Sequence, residues 1–204
     1  MTQSDNQRIR EQYDRIANRY DAVDWIIPAA WRKQAAGLSY GRVLEVGVGT
    51  GLNLPYYPER CQEIVGIDLS QGMLVRAAEK AKHGKMPVRL AVMDVQDLPL
   101  QSASFDCVLV AFVFCTVPDP EQGLRECFRV LKPGGRLILL EHMGSDKPWL
   151  RKIMNWLNPL TVRLMGDHIN RRTAFLVAEA GFLPESAENF FSDIVRLIVA
   201  RRQV

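Results

Sequence analysis

The sequence predicts an α/β fold: a seven-stranded, mostly parallel sheet with helices on both faces and an antiparallel C-terminal hairpin. Three observations carry that expectation. From residue 42 onward short apolar runs alternate with helical stretches. The runs are apolar throughout, as strands buried on both faces are. A glycine turn, Gly47-Val48-Gly49-Thr50-Gly51, follows directly on the first of them.

Taken in order, residues 5–20 place Ile9, Tyr13, Ile16, Ala17 and Tyr20 at helical spacing with Arg8, Arg10, Glu11, Asp14 and Arg19 between them, an amphipathic helix. Its apolar face continues into Val23, Trp25, Ile26 and Ile27, and Pro28 followed by Ala29-Ala30-Trp31 starts a second helix. Strands are expected at 42–46, 63–68, 88–92, 105–111 and 136–141. Helices lie between them at 70–81, opened by Ser70 as a cap, and at 120–130, opened by Pro120. Residues 144–173 fit no strand and read as an insertion. A helix ending at Ala180-Gly181 leads into strands at 182–189 and 193–201, a hairpin that adds an antiparallel strand to the sheet edge.

The chain of 204 residues is long enough for one domain with a single core. Its 48% hydrophobic and 24% charged content, with a mean hydropathy of -0.08, exclude the disordered and fibrous classes. Cys61, Cys107, Cys115 and Cys127 form no CxxC pair and no zinc spacing. They read as reduced thiols packed as small hydrophobes, and no metal site is expected. The polar N-terminus carries no signal-peptide pattern and no apolar run reaches bilayer length, so a soluble, cytoplasmic protein is expected, with any membrane contact peripheral. A net charge of +3 without a Lys–Arg block interleaved with aromatics argues against nucleic acid. The oligomeric state is open.

A strand ending at Glu45-Val46 and followed by GxGxG puts backbone without side chains at the carboxyl end of a strand, where ligands of open α/β sheets gather. Such a run by itself is also met as a structural turn. The next strand ends in Asp68, about 20 residues on, where a carboxylate accepts hydrogen bonds from ribose hydroxyls, and Asp94 closes the strand after that. Dinucleotide binders share these features, but their third glycine comes one residue later, and here that position is Leu52. No arginine stands beside the turn in sequence either, so a nucleoside without phosphates fits better.

Several blocks in order resemble the class I S-adenosylmethionine-dependent methyltransferases, which have a Rossmann-like fold. They are Leu44 to Gly51, Gly66 to Leu74, Asp94 to Pro99, Ser104 to Val108 and Arg129 to Arg136. The resemblance implies S-adenosyl-L-methionine as cofactor and a division into N-terminal lid helices (1–40), a cofactor-binding core (41–142), an acceptor-side insertion (143–173), and a last helix with closing strands (174–204). It further implies that Gly47, Gly49 and Gly51 hold the methionine part by backbone contact, with Glu45 supporting its amino group. Asp68 would bind the ribose diol, Met73 pack on adenine, and Asp94 with Val95 read the adenine edge. Ala111 and Phe112 would close the other side, and Tyr13, Asn53 and Leu69 complete the contact set. Core packing for Met73 and a helix cap for Asp94 are the alternatives.

The acceptor is read elsewhere. Tyr13 to Asp21 resembles the tyrosine–aspartate lid of the ubiquinone and menaquinone C-methyltransferases and of bacterial phosphatidylethanolamine N-methyltransferases, which implies that Tyr20 approaches the reaction centre. The alternative is a packing helix. In the insertion, Trp149, Leu150, Ile153, Trp156, Leu157 and Leu160 share one helix face. Residues 145–172 hold six basic against two acidic side chains, a formal +4 that exceeds the whole chain's +3. Tryptophans bordering an apolar face with flanking cations suit a helix lying on an anionic membrane, and equally an amphipathic helix packed on the domain. Phe112 to Val117 and Gly166 to Thr173 also resemble mammalian lipid-droplet-associated thiol methyltransferase-like proteins, and the quinone enzymes usually end in a longer tail. The implied acceptor is therefore lipid-like, phosphatidylethanolamine before a prenylated quinone or a small thiol. Tyr20, His142 and His168 are the candidates to orient it or take its proton, with structural roles as the alternative for the histidines.

Overall fold

The computed structural model describes residues 3–21, 27–165 and 168–203. Val23, Trp25, Ile26, Gly166 and Asp167, which entered the sequence reading, lie outside them. The helices are α1 (Gln3–Ile16), α2 (Ala29–Gly37), α3 (Gln71–Ala81), α4 (Pro120–Val130), α5 (Pro148–Met165) and α6 (Thr173–Glu179). The strands are β1 (Gly41–Val46), β2 (Cys61–Asp68), β3 (Val88–Val92), β4 (Phe105–Ala111), β5 (Leu131–His142), β6 (Phe182–Phe190) and β7 (Val195–Arg202). The sheet has the order β3-β2-β1-β4-β5-β7-β6. All pairs from β3 to β5 are parallel, and β7 is antiparallel to both its neighbours. The doubly wound α/β class read from the sequence is the observed one.

The apolar strands are explained by two covered faces. In β4, Val108 and Val110 point into one core cluster while Leu109 and Ala111 point into another, and Leu137 and Leu139 alternate with Ile138 and Leu140 in β5 in the same way. Leu124, Cys127 and Val130 of α4 and Val177 of α6 cover the first face; Ala35 and Ala36 of α2 cover the second. All four cysteines are buried, and burial pushes the Cys127 thiol up to about 12, in keeping with a packing role.

Some boundaries differ from the sequence reading. β5 begins at Leu131 rather than 136, because Leu131 pairs with Phe105 before a register shift that absorbs the Lys132-Pro133-Gly134-Gly135 segment. The hairpin does not simply extend the edge: β7 sits inside against β5, and β6 forms the edge. The N-terminal helix stops at Ile16, a turn follows, and the chain is helical again at Tyr20. Ile16 consequently faces solvent, whereas Ala17 is buried. Among the described residues no helix is long and apolar enough to cross a membrane.

Candidate cofactor cleft

The sheet order reverses direction between β1 and β4, and the carboxyl ends of strands flanking such a point leave a crevice. A cleft, partly open to solvent, lies there. Tyr13, Tyr20, Gly47, Gly49, Asn53, Asp68, Leu69, Met73, Asp94, Val95, Ala111 and Phe112 all line it. Glu45, Gly51, His142 and His168 do not.

Gly47, Gly49 and Gly51 all have positive φ, at +63°, +55° and +82°. A Cβ on Gly47 would stand 2.3 Å from Cγ2 of Val113, the residue that closes the cleft after β4. The first glycine therefore admits the protein's own wall as well as bringing backbone to the cleft. Gly51 faces away: a Cβ there would meet Leu54 Cδ1 at 2.8 Å and the Cα of Ala77 in α3 at 3.1 Å. Its bareness lets α3 pack behind the turn.

Asp68 ties the turn to the next helix. Its Oδ2 accepts the Gly49 N–H (3.0 Å) and its Oδ1 the Ser70 N–H (2.9 Å), and burial pushes its carboxyl up to about 6 against those hydrogen bonds. Asp94 accepts from Asn6 Nδ2 (2.5 Å) through Oδ2 and from the Gln96 N–H (2.9 Å) through Oδ1. It thus holds a turn and reaches the N-terminal helix, and it does not cap a helix.

Glu45 is fully buried behind the cleft. It accepts from Asn53 Nδ2 (2.8 Å) and Tyr57 Oη (2.8 Å), and burial pushes its carboxyl up to about 7. Asn53 Oδ1 in turn accepts from Nη1 of Arg32 (3.1 Å), which comes from α2 and lines the cleft. The sequence reading found no arginine near the turn; the fold brings one in across 21 residues. The signal was there, since Arg32 shares a helix face with buried Ala35 and Ala36, three and four residues on.

The far wall depends on Glu141 in β5, whose role the sequence did not show. Fully buried, its Oε1 accepts the N–H groups of Val113 (2.6 Å) and Phe114 (2.8 Å). Phe112 has φ +59°, a strained conformation for an aromatic residue, and its ring lies between the Arg32 guanidinium (5.4 Å) and the His142 ring (4.9 Å). The His168 N–H donates to the Cys115 carbonyl (2.9 Å), and Arg171 Nη1 donates to the carbonyls of Phe114 and Val117. Neither histidine lines the cleft.

The N-terminal helix covers the remaining side. Ile9, Tyr13 and Tyr20 face the cleft, with the two tyrosine rings 6.1 Å apart. Polar side chains anchor it. Asp14 Oδ1 accepts from Ser70 Oγ (2.5 Å) and the Gly72 N–H (2.9 Å) at the positive end of the α3 dipole, and these bonds hold its carboxyl below the usual range. Asn18 accepts from Arg76, and Asp21 pairs with Thr50 and Lys80.

Fold and cleft together define a protein of the doubly wound α/β class with a ligand cleft at the carboxyl ends of β1, β2 and β4. Residues 44–139 match the family described as "Methyltransferase domain". The chain is 40% identical to a demethylmenaquinone methyltransferase of Deinococcus radiodurans over 92% of its own length and 80% of that enzyme. It is 45% identical to a phosphatidylethanolamine N-methyltransferase of Cereibacter sphaeroides, in a match that spans 52% of this chain and about half (53%) of that one. A SAM-dependent methyltransferase from Thermotoga maritima shares the fold, with a TM-score of 0.71 at 23% identity over 94% of this chain and 98% of that one. The chain belongs to the class I S-adenosylmethionine-dependent methyltransferases, and S-adenosylmethionine is its cofactor.

Two predictions concern this cleft. Gly47→Ala should lower stability by about 1–3 kcal/mol from backbone strain alone, with the Val113 clash in addition, and should abolish the melting-temperature rise produced by S-adenosylhomocysteine. Adding Val113→Ala should recover only the share due to the clash; full stability in the single variant would contradict the geometry. Glu45 and Asp68 both bind their protons more tightly folded than unfolded, so the stability they contribute falls as pH rises from about 4 to about 7. Glu45→Gln removes one share. Urea midpoints at pH 5 and pH 8 should show the variant gaining on the wild type by on the order of 1–3 kcal/mol as pH rises.

Proposed function

We propose that this methyltransferase acts on a lipid-like acceptor, the amine of phosphatidylethanolamine before a prenylated quinone or a small thiol. In this reading the methionine part of the cofactor lies over Gly47 and Gly49, the ribose diol on Asp68, and adenine between Met73 and the Asp94–Val95 edge. The residues present fit that group. The Asp68 carboxyl accepts the Gly49 and Ser70 N–H groups and lines the cleft, and a carboxylate's two oxygens can accept a ribose hydroxyl besides. Tyr13, Leu69, Ala111 and Phe112 wall the site, Gly51 shapes the turn from behind, and Glu45 acts through Asn53.

Bound S-adenosylmethionine supplies a methyl group on a sulfonium, open to in-line displacement, so positioning provides most of the rate. The chain's task is to exclude water and present the acceptor. The lid tyrosines close one side and Phe112 the other. An ammonium acceptor with a reference pKa near ~10 must lose its proton, and the apolar lining of Ile9, Met93, Val113 and Val117 disfavours the charged form. Tyr20 lines the cleft, and its hydroxyl can orient the amine by accepting a hydrogen bond from it, the ammonium proton having been lost to water before the amine enters. His142, packed on Phe112, and His168, anchored at Cys115, act as positioning residues.

The observation that carries the lipid reading is the outer surface of α5. The single apolar face expected there divides in two: Leu150, Met154 and Leu157 turn inward, while Trp149 (62% exposed), Ile153, Trp156 (79%) and Leu160 form an exposed ridge. At about 3.6 residues per turn, exposed Lys152 and Arg163 fall along one rim of that ridge. The segment after α5 braces the cleft wall through His168 and Arg171, which puts the ridge-bearing helix next in sequence to that wall. Apolar anchors rimmed by cations fit an anionic phospholipid surface, on the cytoplasmic side of the membrane. A quinone acceptor is the second reading, favoured by the longer match to the Deinococcus demethylmenaquinone methyltransferase.

Incubation with methyl-labelled S-adenosylmethionine and a membrane extract should label a phospholipid; label confined to quinone or thiol would overturn the first choice. The protein should sediment with phosphatidylglycerol vesicles, and Trp149→Ala with Trp156→Ala should reduce that binding by roughly tenfold or more. Equal sedimentation of both proteins, or none of either, would remove the membrane contact.

A further inference from the structure

Arg32 is 7% exposed, sits on the buried face of α2, and lines the cleft beside Asn53 and Phe112. Among the described residues that line the cleft it carries the one positive charge. The negative charges there, Asp68 and Asp94, stand at the ends of β2 and β3. The cleft is therefore polarised, carboxylates on the β2–β3 side and a guanidinium on the β1–β4 side.

S-adenosylmethionine is polarised in a matching way. Adenosine offers hydroxyl and amino donors, which suit carboxylates. The other end carries a carboxylate, which on leaving water needs charge-assisted hydrogen bonds to replace its hydration. A planar guanidinium presents parallel N–H groups that match both carboxylate oxygens. We propose that Arg32 binds the carboxylate of the cofactor's methionine part and so sets which end of the cofactor lies at the β1 turn. The inference rests on the reading of the cleft as the cofactor site.

The surroundings of Arg32 suit this role. It reaches Glu45 through Asn53, a chain of two hydrogen bonds that fixes its direction. Phe112 lies under the guanidinium at 5.4 Å, its ring held in turn by His142. The N-terminal segment then serves both sides of the reaction: α1 supplies the lid and α2 a cofactor contact.

The test compares two ligands on the full chain by titration calorimetry. S-adenosylhomocysteine carries the aminocarboxyl group, and 5′-methylthioadenosine keeps adenine, ribose and sulfur without it. Arg32→Met should weaken S-adenosylhomocysteine binding by about 10- to 100-fold, the usual scale for a charge-assisted hydrogen bond, and change methylthioadenosine binding by less than about threefold. Arg32→Lys, which keeps the charge and loses the fork, should fall between wild type and Arg32→Met. Equal losses for both ligands would assign Arg32 to the Asn53–Glu45 scaffold and overturn the proposal. So would unchanged affinity for both, including the case in which only the acceptor's KM rises. Wild-type protein that binds neither ligand would instead refute the reading of the cleft.

Discussion

Val113 occupies the space where a side chain at position 47 would be, and the cleft depends on that exclusion. β1 and β4 are neighbouring parallel strands, and their carboxyl ends diverge into loops that must both turn over the sheet edge. With no Cβ at Gly47 the loop after β4 can settle against the β1 turn, and Glu141 holds it there by taking the N–H groups of Val113 and Phe114. Removing a buried acceptor of that kind leaves two backbone donors without a partner, which proteins tolerate poorly. The near wall, the far wall and the strained Phe112 between Arg32 and His142 are one assembly.

Against this rigid frame, the N-terminal helix is attached differently. It presents two tyrosines and Ile9 to the cleft, yet its anchors to the domain are polar: Asn6 on Asp94, Asp14 on the start of α3, Asn18 on Arg76 and Asp21 on Thr50 and Lys80. Exposed polar contacts hold a segment in place with little net energy, because water competes for the same groups. Two of its anchors also bind Asp94 and the start of α3, where the Ser70 N–H donates to Asp68, so this segment and both carboxylates are physically linked.

Most of the core cleft was readable in the chain because its signals are local. Gly47, Gly49, Asp68, Asp94 and Ala111 each lie within a strand end or the turn that follows, Met73 lies in the first turn of α3, and strands end where the apolar run ends. Arg32 and Glu141 were missed for the opposite reason. Each lies more than 20 residues from the groups it serves, and its meaning appears only when α2 packs on the second face and β5 pairs with β4. His142 was a candidate because it stands at the carboxyl end of a strand, yet neither it nor His168 lines the cleft.

The sequence by itself determined the α/β class, the parallel core and the glycine turn, since apolar periodicity, caps and glycine spacing act over a few residues, and the resemblance of its motif blocks implied the cofactor. Only the tertiary structure decided that β7 runs inside β6, that Gly51 serves helix packing, that a buried arginine enters the cleft, and that α5 divides into an inward seam and an exposed ridge. Those outcomes depend on which surfaces are left to cover once the sheet has formed, a balance struck among elements distant in the chain. The glycine turn marks the site in the sequence; the residues packed around it decide what the site can hold.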